Sequence, residues 1–112
     1  MTRAICIHNP KAHSGKLALE MGAIRAAVSA QLKEALHLDE VEWQETQHPL
    51  HGRQLAEEAV RYGFQYIFAG GGDGTINEVL NGILGLKLPP AQCPVFGILP
   101  LGTSNDFFAA LK

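Results

Sequence analysis

Residues 70–78 read GGGDGTINE, and they hold the chain's densest potential for chemistry. They follow an apolar run, Tyr66-Ile67-Phe68-Ala69, that reads as a buried strand. They precede Ile76, Val79, Leu80, Ile83 and Leu84, spaced as one face of a helix. A chain that passes from strand to helix through consecutive glycines presents bare backbone N–H groups at a helix N-terminus. Those donors, with the positive end of the helix dipole, make an anion site. Glycine also lets a phosphate approach the backbone with no Cβ in the way. The carboxylate in the middle, Asp73, would repel a bare phosphate, so it fits best where a divalent cation or a donor hydroxyl lies between. The chemistry indicated is nucleotide-phosphate binding.

Two familiar glycine patterns do not fit. The dinucleotide pattern GxGxxG lacks its third glycine whether counted from Gly70, where Thr75 stands, or from Gly72, where Asn77 stands. The Walker pattern fails at Gly15-Lys16, which has Pro10 where the earlier glycine belongs and Leu17 after the lysine. A purely local reading stays open beside the phosphate site. In it the glycines form a tight turn and Thr75-Ile76-Asn77-Glu78 a capping box, with Thr75 as N-cap and Glu78 reaching back. A second tract, Gly102-Thr103-Ser104-Asn105-Asp106, consists of good N-cap residues and is weak evidence alone. Beside the first tract it would add hydroxyls and a second carboxylate to one crevice. Asp73 and Asp106 facing one phosphate site suggest Mg²⁺, which keeps several waters and takes one or two carboxylates plus substrate phosphates. His8, His13, His48 and His51 show no helical metal spacing beside a third ligand and read as solvated loop histidines. Trp43, Phe107 and Phe108 read as packing residues.

The elements that must position these residues are legible in the pattern. Strands are expected at Ala4 to His8, Glu40 to Glu45, Tyr66 to Ala69 and Val95 to Leu99. Helices are expected from Lys16 to Leu36, from just past Gly52 to Gly63, and from Thr75 to about Leu84. A further helix is expected to open at Asn105, and Gly85 to Pro94 reads as a surface connection. Strands this apolar, alternating with helices, imply an α/β fold: a three-layer open, mostly parallel sheet with helices on both faces and right-handed crossovers. Ligands of such sheets bind beyond the carboxyl ends of the strands. There the loops Asn9 to Gly15, Thr46 to Gly52, Gly70 to Thr75 and Leu101 to Asn105 converge.

With 112 residues the chain is one domain at most. A formal net charge of -2, with no basic run, argues against nucleic acid as partner. No stretch approaches the roughly 20 apolar residues that span a bilayer. The start of the chain is too short an apolar run for a signal peptide. Cys6 and Cys93 suit a reducing compartment, so a cytoplasmic location is expected.

The set Asn9-Pro10, Thr46, GGGDGTINEV (Gly70 to Val79), Asn81-Gly82 and GILPLGTSNDF (Gly97 to Phe107) resembles the catalytic domain of the diacylglycerol kinase-like lipid kinases. That family includes sphingosine kinases and bacterial YegS/BmrU-type lipid kinases, and its fold is related to NAD kinase and phosphofructokinase. The resemblance covers nearly the whole chain with its motifs in order. It implies ATP as donor, Mg²⁺ as cofactor and a lipid hydroxyl as acceptor, met by peripheral membrane contact. By position, Asn9, Thr46, Gly71, Gly72, Asp73, Gly74, Thr75, Ile76, Asn77, Glu78, Gly102 and Thr103 would lie at the nucleotide. Asp73 and Asp106 would be the catalytic carboxylates and hold Mg²⁺ through water. Ser104 stands where the family often has Gly, Ala or Thr, and Phe108-Ala109-Ala110 replaces its commoner Ala-Arg. Family members continue into a β-rich domain that carries the catalytic base. The resemblance therefore makes residues 1–112 a nucleotide-binding domain, inactive alone, with docking surface near Phe107 and Phe108 open to self-association. An NAD kinase-like soluble kinase and a non-catalytic nucleotide-binding module are the alternatives.

Overall fold

The computed structural model describes residues 1–10 and 20–99. The GTSND tract, with Gly102, Thr103 and Asp106, lies outside them, as do Phe107, Phe108, His13 and residues 16–19 of the expected first helix. Four strands form one sheet: β1 (Arg3–His8), β2 (Glu40–Glu45), β3 (Tyr66–Gly70) and β4 (Val95–Leu99). Between them run α1 (Met21–Leu36), α2 (His51–Arg61) and α3 (Asp73–Leu84), with a 3₁₀ turn at Pro90–Gln92 before β4.

The strand order is β2-β1-β3-β4 and every pairing is parallel. From β1 the chain steps one way to β2, then crosses back to β3 and on to β4. A fixed crossover hand then requires the helices to change faces. They do. On one face Ala4, Cys6 and Phe68 pack with Ile24 and Val28 of α1. On the other Ile5, Ile7, Ile67 and Ala69 pack with Leu55, Ala56 and Ala59 of α2 and Val79 and Ile83 of α3. The expected three layers are present.

Local signals explain the boundaries. Gly63, at φ 84, ends α2 in a Schellman arrangement: its N–H donates to Val60 O (3.1 Å) and that of Phe64 to Ala59 O (3.1 Å). Arg3 seals the same end, donating to Tyr62 O while its guanidinium lies 4.3 Å from the Phe64 ring centroid. Helix α2 begins at His51, so Gly52 sits in its first turn rather than in the preceding loop. Among the described residues Val95 (55%) and Ile98 (58%) of β4 are exposed. Among the described residues no helix is long and apolar enough to cross a membrane.

Candidate functional site

Strand register sets the site. His8 pairs with Glu45 on one side and Gly70 on the other, so the three strands end level. The next residues, Asn9, Thr46 and Gly71, therefore leave the sheet side by side. Backbone bonds fix the row: Thr46 N–H donates to His8 O (2.9 Å) and Asn9 N–H to Gly70 O (3.4 Å). The row straddles the β1/β3 boundary, where the strand order reverses. That reversal is the place where open α/β sheets bind ligands.

The glycine tract turns the chain sharply there. Gly71 has φ 119, a conformation open to glycine and strained for other residues. Gly72 is the N-cap of α3 with extended backbone (φ -81, ψ 174), and Asp73 opens the helix. No side chain would be crowded at Gly72 or Gly74, since a Cβ at either meets nothing within 4 Å. The N-terminus of α3 thus faces open space, with Asp73 exposed in its first turn. Asp73 would suit a hard cation that keeps most of its waters.

The capping box does not form. Helix α3 begins two residues before Thr75, whose side chain is buried (6% exposed) in the first turn. Glu78 turns to the neighbouring helix instead, where its Oε1 accepts a bond from Gly52 N–H (3.1 Å) in the first turn of α2. Helix α2 has no side-chain cap of its own, because Leu50 precedes it at φ 67. The Glu78 carboxylate supplies the missing acceptor and the favourable charge at that dipole end. A cleft of about 280 Å³ opens between these groups, lined by Asn9, Thr46, Gln47, His48, Thr75 and Glu78, with Pro49 at its rim. Ile76 packs against the core and Asn77 is exposed, so neither reaches this lining. A second hollow of about 320 Å³ lies at the amino end of the sheet, between Phe64, Tyr66 and Cys93, without charged groups.

His8 departs from the expectation of solvated loop histidines, whereas His48 is exposed in its loop as expected. His8 is fully buried at the end of β1. Its Nε2 accepts a bond from Arg25 of α1 (2.9 Å), which requires the ring proton on Nδ1, because a guanidinium only donates. The same Arg25 nitrogen donates to Glu45 Oε1 at 2.6 Å. Trp43 meets the His8 ring edge-on at 5.7 Å and donates from Nε1 to Ser29 Oγ (2.9 Å). The alternation in β1 carried this signal: Ala4 and Cys6 face α1, and His8 continues their row. His48 and His51 stand in the loop and first turn of α2, stacked with centroids 4.4 Å apart. Among the described residues no three of His, Cys, Asp and Glu gather as a metal site. Cys6 is buried and its thiol is pushed up to about 12 by burial, which makes it inert.

Comparison with known proteins adds what geometry cannot. Residues 3–112 match the sequence profile of the diacylglycerol kinase catalytic domain. The chain belongs to that family. A protein of Chromohalobacter salexigens named Probable lipid kinase YegS-like is 47% identical over 60 residues, which are 54% of this chain and 19% of that protein. A protein of the same name from Yersinia pestis is 49% identical over 59 residues, 51% of this chain and 19% of its own. Among solved structures, a diacylglycerol kinase from Bacillus anthracis superposes with a TM-score of 0.67 at 28% identity, over 94% of this chain and 35% of that one. The parallel sheet with helices on both faces is thus the fold of the family. The matched segment spans about a fifth of the curated relatives (19% in each) and about a third (35%) of that structure.

Proposed function

We propose that these residues form the donor site of an ATP-dependent lipid kinase, which moves the γ-phosphoryl of ATP to a lipid hydroxyl such as that of diacylglycerol, sphingosine or phosphatidylglycerol. The observation that carries the reading is the level row Asn9–Thr46–Gly71 at the reversal of strand order, with the open N-terminus of α3 beside it. Backbone N–H groups of Gly72 to Gly74 would hold the polyphosphate, that of Thr75 being given to Gly72 O (3.1 Å), with Thr46 and Asn9 along the nucleotide. Phosphoryl transfer asks the protein chiefly for positioning and charge stabilisation. Among the described residues that line the cleft, the charged one is acidic, Glu78. Positive charge toward the phosphates would therefore come from the helix dipole and a cation. Asp73 would hold Mg²⁺ through water, with Asp106 as second carboxylate, and the ion would neutralise phosphate charge. Peripheral contact with a membrane follows from a lipid acceptor, and a cytoplasmic location from ATP as donor.

The test is calorimetric titration of the chain with Mg-ATP. Saturable binding that weakens at least tenfold in Asp73→Asn, with an unchanged melting temperature, is the expected result. No binding of Mg-ATP would overturn the reading. An assay with radiolabelled ATP and the three lipids addresses transfer. We expect no phospholipid product from residues 1–112 alone, because an oriented acceptor hydroxyl also needs a base or positioning group. Metal-dependent product would place that machinery within these residues.

A further inference from the structure

One charged cluster stands outside the cleft and is absorbed by none of the roles above. Arg25 reaches from the second turn of α1 to the ends of two strands at once, to His8 Nε2 of β1 (2.9 Å) and Glu45 Oε1 of β2 (2.6 Å). His8 immediately precedes Asn9 and Glu45 immediately precedes Thr46, the two residues that β1 and β2 deliver to the cleft. The strands are joined just above by Thr46 N–H to His8 O (2.9 Å).

Position in the sheet makes this clamp matter more here than elsewhere. β2 is an edge strand, bonded to β1 alone. Its Glu42 and Gln44 face the α2/α3 side and are exposed, lining a shallow hollow beside α2, so among the described residues β2 is only loosely covered from that side. On the α1 side Trp43 is tied to Ser29 and Glu45 to Arg25. Arg25 is the last tie before the chain enters the loop. Stability alone is a poor explanation for it. Arg25 Nε is buried without a hydrogen-bond partner, which costs about 1–3 kcal/mol. A partly exposed ion pair such as Arg25–Glu45 adds little to stability, about 0–1 kcal/mol.

We infer that Arg25 is a positioning residue for the nucleotide site, holding the ends of β1 and β2 level so that Asn9 and Thr46 present a fixed edge to the ligand. This rests on the donor-site reading above. Its effect travels through Glu45 and His8, and Arg25 itself touches no ligand.

The experiment titrates Mg-ATP into the wild-type chain, Arg25→Met, Glu45→Gln and the double variant, and measures amide exchange on the same samples. Arg25→Met should bind at least tenfold more weakly, Glu45→Gln several-fold more weakly, and the double variant no worse than Arg25→Met, since both act through one link. Exchange at the Thr46 amide should quicken tenfold or more relative to the Ile67 amide in the core, a rise that overall destabilisation cannot produce because it quickens core amides at least as much. The partly exposed Glu45→Gln is the variant to read should Arg25→Met fail to fold. Wild-type affinity in a folded Arg25→Met, or additive losses in the double variant, would overturn the proposal even if Thr46 exchange rose. If the wild-type chain binds no nucleotide, the donor-site reading falls separately. The exchange ratio then decides alone: quickened exchange upholds the clamp, and unchanged exchange removes it.

Discussion

The glycines of one helix, α3 with its N-cap, serve opposite ends. Toward the strand ends, Gly72 and Gly74 have empty space where a side chain would stand. Two turns further along the same helix, a Cβ on Gly82 would come within 2.6 Å of the Arg53 carbonyl oxygen and 3.0 Å of Ala56 Cβ. Gly52, on the facing helix, is similarly confined by the Glu78 carboxylate at 3.0 Å. Glycine at 52 and 82 is thus explained by the protein, because it lets α2 and α3 cross nearly backbone to backbone. Glycine at 72 and 74 is explained by nothing within the described chain. The confinement that explains 52 and 82 does not apply there, and the open space leaves room for the phosphate of the proposed donor site.

The contrast can be broken by putting side chains on both kinds of site. Gly82→Val forces α3 away from α2 and should destabilise the fold by about 3 kcal/mol, the upper range for overpacking. That corresponds to a melting temperature lower by about 10 °C. Gly74→Val should leave the melting temperature within about 2 °C while Mg-ATP affinity falls tenfold or more, by steric exclusion of the phosphate. Equal melting temperatures for the two variants, or equal affinity in wild type and Gly74→Val, would erase the distinction. Glu78 tests the boundary between the regions, since it caps α2 and lines the cleft. Glu78→Ala should cost about 1 kcal/mol, the usual worth of a cap, with Glu78→Gln losing less because its amide oxygen can still accept. Thermal melts of the pair check this.

The smallest effect belongs to the cysteines. Burial raises the Cys6 thiol to about 12 from its ordinary 9.0. The folded thiol keeps its proton where the unfolded one has lost it, so this group stabilises the fold below pH 9 and the contribution shrinks as pH rises toward 12. At pH 8 a thiol reagent should modify exposed Cys93 at once and Cys6 only after unfolding. Simultaneous modification of both would show that the α1 face opens readily.

The elements were legible because periodicity is local. All four strands appear where alternation or an apolar run places them, with β1 gaining Arg3 and β3 gaining Gly70. The α3 face was legible in part: Val79 and Ile83 are buried, but Leu84 is 60% exposed and Thr75 and Gly82 take its place inward. The Thr75–Glu78 motif failed as a cap because tertiary structure offered Glu78 a better donor, 26 residues away at Gly52. His8 was misread for the same reason. Its partner Arg25 lies 17 residues on, and Arg25 in turn meets Glu45 a further 20 residues along. No window of sequence contains that cluster, whereas strand register assembles it. Asp106, Gly102 and Thr103 lie outside the described residues, so the second half of the expected site stays a matter of sequence.

The strand order also dictates a schedule for synthesis. β1 is central and is made first, yet one edge waits for residues 40–45 and the other for residues 66–70. With no hairpin in the described sheet, neither edge is filled by a neighbouring strand in the meantime. At ~5–20 residues per second, the ribosome needs roughly 3–12 s to deliver the second partner. Through that interval Ile5, Cys6 and Ile7 form an unpaired apolar strand, the segment of the nascent chain most exposed to aggregation and to chaperone capture.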